Sequence, residues 1–402
     1  DFSLSGRSLG AVDVSWVIIG TLVGGAATIG TVQMAFARGF AAWYFTLGSG
    51  LACLVLGLFF ARPLRESGTV TVAEYLGTRF GKPYQVYSSL FSSMGMMMQV
   101  VAQYLAAVAI LLAVFGCSTG TAVAITFILI ASVVITGGMA GAGLIGKLKF
   151  WMLCLILALS AGICLFRSGG IAPLLEELVA SEGDLGFFPE GLWAALMDIL
   201  SMVLGVLSTQ IYLQAVFSAR TVREARHGAL LSAAMIPPLG FLGIVIGLYL
   251  RSHSPEPVVN SAQALPTFLT TTYPTPIAAL FLAALLLIVI GTASGLVLGV
   301  STNLYVDVLS RFPRLVHRWE SGRLVRLSCF AVLVASVAMV GLGLNTPILQ
   351  WSYVSMGLRG TAVFAGILLM VCVGERHSVK WVKPLLFALP LGYLAVVIHR
   401  HL

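Results

Sequence analysis

The sequence predicts an all-α membrane protein of about eleven transmembrane helices, on three observations. The first is composition. Of 402 residues, 59% are hydrophobic and only 9% are charged, whereas a soluble domain carries about 25% charged residues. A chain with a mean hydropathy of +1.00 cannot hide its side chains in one core and must face lipid. The second is spacing. Uncharged apolar runs of about 20 residues, the length that crosses a bilayer, recur along the whole chain. In lipid every backbone polar group must be satisfied internally, so these runs are helices and not barrel strands. The third is the placement of the basic residues, taken up below.

The spans fall near 13–36, 41–61, 85–115, 120–137, 147–166, 191–218, 225–250, 276–309, 323–343, 348–374 and 380–398. The first is interrupted by Val23-Gly24-Gly25-Ala26-Ala27-Thr28, and glycine costs about 1 kcal/mol in a helix relative to alanine. The third carries Gln99 and Gln103, four apart and therefore on one face. The fifth opens with Lys147 and Lys149, and the sixth holds Asp198, then Gly205 and Ser208-Thr209-Gln210. The tenth has Arg359 about eleven residues inside it. The longest polar stretches, 167–190 and 251–275, read as loops, and no linker separates a soluble domain. Interruptions at matching places in helices 1 and 6 point to an inverted repeat of helices 1–5 against 6–10, with broken helices exposing peptide groups near the bilayer middle. Close packing through small residues is the competing account of the same glycines.

With residue 1 cytoplasmic, the inside loops carry Arg7, Arg62, Arg65, Arg79, Lys82, Arg220, Arg223, Arg226, Arg311, Arg314, Arg318, Arg323, Arg326, Arg376, Lys380 and Lys383. The outside loops carry only Arg38, Arg167, Arg251 and Arg400, and the longest also bears Glu176, Glu177, Glu182, Asp184 and Glu190. This asymmetry sets the orientation of a multi-pass protein of the cell (inner) membrane. It also accounts for the net charge of +8, so nucleic acid is not expected as a partner. The chain opens on a polar lead-in, not a signal peptide. Cys53, Cys117, Cys154, Cys164, Cys329 and Cys372 are scattered without CxxC spacing and read as buried small side chains. The methionines at 94 and 96–98 read as packing, and the histidines lie in loops or tails. No HExxH, midplane carboxylate pair or nucleophile–base spacing suggests an enzyme.

Ionisable residues inside a membrane are costly and usually functional. Lys147 and Lys149 either snorkel to headgroups or act inside. Asp198 is a gate or a plain ion pair. Arg359 lies too deep to snorkel, and either makes a structural pair or binds an anionic solute, for which a carboxylate suits the guanidinium fork.

Several segments, in order, are similar to the sodium:solute symporter family, which carries sugars, proline, pantothenate and sialic acid. Ser5-Gly6-Arg7-Ser8-Leu9 precedes helix 1 as that family's lead-in does, and Thr21-Leu22-Val23-Gly24-Gly25 with Ile29-Gly30 resembles its unwound first helix. Arg62-Pro63-Leu64-Arg65 followed by Thr71-Val72-Ala73-Glu74-Tyr75-Leu76-Gly77-Thr78-Arg79-Phe80-Gly81 resembles its most specific loop. Ser208 to Gln214 with Ser218-Ala219-Arg220 resembles its sixth core helix, and Thr292 through Asp307 its eighth. The resemblance implies a LeuT-like 5+5 inverted repeat working by alternating access. The core would be 1–374, with repeats of about 10–166 and 191–374, and 375–402 would add a further helix.

The resemblance also implies a sodium site built from the carbonyls of Gly20, Val23 and Ile288 with the Thr292 hydroxyl, since a hard cation takes oxygen ligands. This sequence departs from the family twice. Gly291 stands where a second hydroxyl is usual, and Ile145-Gly146-Lys147-Leu148-Lys149 stands where a Thr-Asp pair is usual. A lysine ammonium is itself a monovalent cation seeking oxygens, so Lys147 or Lys149 replacing sodium, or proton coupling, stands as the alternative. The solute contacts implied are Thr21, Gly24, Gly25, Thr28, Gln99, Gln103, Thr209 and Gln210, with Arg359 for an acid. The expected function is cation-coupled symport of a small organic solute, with sodium as the coupling ion and no other cofactor. A transporter-like sensor domain is the alternative of another class.

Overall fold

The computed structural model describes residues 7–69, 71–137, 142–182, 184–253, 261–309, 321–344, 346–373 and 382–401. The basic residues Arg311, Arg314, Arg318, Arg376 and Lys380, used above for orientation, lie outside them. Among the described residues the protein is a bundle of helices with no named strand. Each of the eleven spans read from the sequence has a helical counterpart.

The first span is two helices, α1 (Ala11–Leu22) and α2 (Thr31–Arg38), joined through a π turn at Ala26–Gly30. The second runs through α3 (Trp43–Val55), a π turn at Leu56–Phe60 and α4 (Ala61–Glu66). A short α5 (Val72–Phe80) precedes the long α6 (Lys82–Phe115). Then come α7 (Thr119–Gly137), α8 (Ala142–Arg167) and α9 (Ile171–Glu182). The sixth span is α10 (Leu192–Val206) and α11 (Gln210–Phe217), bent by 47° at their junction. After them run α12 (Val222–His253), α13 (Ala264–Thr272) and α14 (Thr275–Asn303). A π turn at Leu304–Val308 extends α14, and α15 (Ser321–Gly343) follows. The chain ends with α16 (Ile348–Arg359), a π turn at Gly360–Phe364, α17 (Ala365–Val373) and α18 (Lys383–His401).

Three of these helices sit where the sequence suggests loops. The loop reading of 167–190 and 251–275 is corrected: α9 buries Leu174 and Leu178, and α13 buries Leu265, Phe268 and Leu269. Those spacings of three and four place each set on one helical face. Neither segment is long enough to span, so both pack their apolar stripe across the bundle. The third helix, α5, starts with a capping box in which Glu74 N–H donates to the Thr71 hydroxyl at 2.9 Å while the Glu74 carboxylate accepts from the Thr71 N–H.

The broken first and sixth helices lie inside the bundle, with α6, α12 and α14 among the helices packed around them. Hydropathy alone treats all spans alike. Burial separates them: 78% of the most apolar stretch of α6 is buried, against 33% for α15.

Candidate functional site

Helix α1 stops where its sequence turns to glycine. Val23 leaves the helix in an extended conformation. The freed Gly25 N–H donates to the Gln103 side-chain oxygen on α6 at 2.8 Å, and the Thr28 hydroxyl donates back to the Gly24 carbonyl at 2.9 Å. A side chain at Gly25 would meet the Ala106 methyl at 2.5 Å. These glycines therefore let the break lie directly against α6, and the close-packing account and the broken-helix account hold together.

The sixth span breaks at Leu207-Ser208-Thr209. The Ser208 hydroxyl donates to the Leu204 carbonyl and the Thr209 hydroxyl to the Gly205 carbonyl, both at 2.6 Å, while Thr209 itself is extended. A Cβ on Gly205 would lie 2.3 Å from the Met356 Cβ, so α10 and α16 touch backbone to side chain here. This contact brings Arg359 to the break. Its Nη1 donates to the Thr209 hydroxyl and its Nη2 to the Ser355 hydroxyl, both at 2.8 Å, and its Nε to the Ser355 carbonyl at 3.2 Å. Tyr212 and the Met356 sulfur complete its surroundings. The guanidinium is fully buried and all these partners are neutral. On the facing helix, Gln99 gives its amide to the Ser352 hydroxyl at 3.0 Å, while its side-chain oxygen is buried with no protein partner among the described residues.

The expected sodium oxygens are occupied differently. Helices α1 and α8 cross at Gly20 and Gly146, where a Cβ on Gly20 would come within 2.4 Å of the Gly146 Cα. That contact carries Lys149, three residues on, to the break. Its Nζ donates to the Gly20 carbonyl at 2.9 Å and to the Thr292 hydroxyl at 2.7 Å. Thr292 in turn donates to the Ile288 carbonyl at 2.9 Å. Val23, the remaining expected ligand, is buried in the same break. Lys147, two residues earlier on α8, is exposed and turned away.

Other expected contacts go elsewhere. The Thr21 hydroxyl folds back on its own helix, donating to the Val17 carbonyl at 2.7 Å. The Gln210 side-chain oxygen accepts from the Val72 N–H at 2.8 Å, tying α11 to the start of α5. Asp198 is half-buried in a cleft near the α2 end of the broken helix, with Arg38, Tyr44, Glu190 and Tyr353. Arg38 and Glu190 pair across its mouth. Asp307 was not among the expected site residues. It is fully buried after α14, accepting from the Gln85 amide and the Ser89 hydroxyl, each at 2.8 Å. An acid lying within the eighth apolar span was the available signal.

Two interrupted helices meeting among α6, α14 and α16 define a LeuT-like transporter fold. The profile of the sodium:solute symporter family matches residues 2–375, and the chain belongs to that family. The fold is similar to a sodium-coupled sialic acid symporter in its substrate-bound outward-open state, with a TM-score of 0.73 at 18% identity, covering 92% of this chain and 81% of that one. It is also similar to MhsT in complex with L-phenylalanine (TM-score 0.62, 15% identity, 96% of this chain and 98% of that one). A manganese transporter of Eremococcus coleocola is more distant (TM-score 0.59, 12% identity, 99% and 87%). In sequence, 231 residues are 23% identical to the high-affinity choline transporter 1 of Caenorhabditis elegans, covering 56% of this chain and 38% of the relative.

Proposed function

We propose that the protein is a secondary active transporter that moves a small organic carboxylate across the membrane, coupled to a cation gradient and with sodium as the family's ion. Residues of about 10–166 and 191–374 act as the two repeats of an alternating-access core, and 375–402 supplies a further helix. The residue-1 side faces the cytoplasm in this reading, which the arginine distribution supports.

The observation that carries the solute class is Arg359, a fully buried guanidinium whose described partners are all neutral. A buried charge without a counter-charge is costly, and a planar guanidinium fork suits a carboxylate more than a cation. Sialic acid and L-phenylalanine, named for two of the fold neighbours, both carry a carboxylate. Choline does not, and would meet the guanidinium as a like charge. Thr209 and the Gly24–Gly25 break provide the remaining polar wall.

The test is uptake of labelled amino and organic acids into proteoliposomes, with and without an inward sodium gradient. Arg359→Ala is expected to insert normally and to lose uptake. Removing one side of a buried charge–carboxylate pair costs about 2–5 kcal/mol, or roughly 30- to 5,000-fold in apparent affinity. Wild-type uptake by this variant, or uptake of neutral solutes alone, would reject the carboxylate reading.

A further inference from the structure

We propose that Lys149 is a tethered competitor of the coupling cation: its ammonium holds the oxygens between α1 and α14, and sodium gains them only when the side chain withdraws. The proposal rests on the cation-coupled reading above and assigns that reading a built-in regulator.

The geometry is specific. The ammonium lies 2.9 Å from the Gly20 carbonyl and 2.7 Å from the Thr292 hydroxyl. These are two of the four oxygens the family resemblance assigns to sodium. An ion bound to them would share the ammonium's own position, and two like charges side by side in a low-dielectric interior repel strongly. The donor set is also short for sodium. At the place of the usual second hydroxyl, Gly291 offers none, and a Cβ there would meet only the Lys149 Nζ, at 3.9 Å. The space that a serine would fill faces the lysine.

Among the described residues no acid offsets the ammonium. Of the helices packed on α8, α1 carries one charged residue, the exposed Asp13 in its first turn. Helix α14 carries none, and the charges of α12 are confined to its two ends. Lys147 on α8 itself is exposed. A solvated surface lysine would not be aimed at a break in another helix. Lys149 is buried, and the glycine-on-glycine crossing of α1 and α8 fixes its root one turn away.

The test reads sodium binding directly, on purified protein without solute. Stabilisation is followed as melting temperature against sodium concentration, with choline chloride balancing ionic strength. Lys149→Met keeps the stem and removes the charge. Lys149→Gln, which retains a neutral N–H donor for the same oxygens, serves if the methionine variant does not hold its fold. The neutral variants are expected to need at least tenfold less sodium than the wild type for half-maximal stabilisation. Equal sodium dependence in wild type and variants would overturn the proposal. A weaker response in the variants, or none in any of the proteins, would overturn it equally. These readings are independent of uptake, so loss of carboxylate transport with intact sodium competition would count against the proposed solute alone.

Discussion

Lys147 and Lys149 look alike in the sequence, yet the structure separates them completely. Two residues apart on an α-helix they point to nearly opposite faces, so only one can reach α1. Which one is set by the crossing at Gly20 and Gly146, a contact between distant segments that local pattern does not encode. Arg359 is the reverse case. Its depth in an apolar span already marks it for the interior, while the neutrality of its partners is visible only after folding. The glycines give the sharpest test at this scale. Gly205→Leu must push Met356 away from a backbone it touches, and overpacking of this kind costs about 1–3 kcal/mol. Its melting temperature should fall clearly below wild type. A Cβ on Gly295 would meet nothing within 4 Å, so Gly295→Ala should be neutral or stabilising by up to about 1 kcal/mol. Equal melting temperatures for the two variants would mean that α10 and α16 do not pack as described.

At the scale of elements, long spans were legible because bilayer thickness fixes their length and lipid fixes their composition. The interruptions were legible too, because glycine and adjacent hydroxyl residues weaken a helix wherever they fall. The short helices α9 and α13 were not. Their apolar residues are few, and the polar remainder reads as loop until a neighbouring surface exists to cover the stripe. Helix α5 shows how a polar residue changes role through such packing: Gln210, expected at the solute, holds the Val72 N–H instead. Gln210→Ala should free that donor at a cost of about 1 kcal/mol. Faster amide exchange confined to Val72–Phe80, with α6 unaffected, is the expected reading. Unchanged protection there would show that the capping box alone secures α5.

For the whole molecule, the proposed orientation rests on charge and makes its own prediction. Arg220 and Ser181 are both exposed, at opposite ends of the bundle by the proposed topology. In right-side-out vesicles, with the partly exposed Cys117 replaced by serine, a membrane-impermeant thiol reagent should label Ser181→Cys and spare Arg220→Cys until the membrane is opened. The opposite pattern would invert the topology and with it the direction assigned to transport.

At the residue-1 end, the chain entering α1 is stitched to the chain leaving α11. The Leu9 N–H donates to the Ser218 carbonyl at 3.2 Å, and the Arg220 N–H donates to the Leu9 carbonyl at 2.9 Å. The Glu224 carboxylate holds the Ala11 N–H at 2.6 Å. Each such bond is worth about 0.5–1.5 kcal/mol net, and up to about 3 where a charged group takes part. The three together fix the start of α1 against the end of α11. A matching stitch lies at the other end, where the Phe40 N–H donates to the Leu185 carbonyl at 3.0 Å and the Ala41 N–H to the Gly186 carbonyl at 2.9 Å, so the two fractured rods are fastened to each other above and below their breaks.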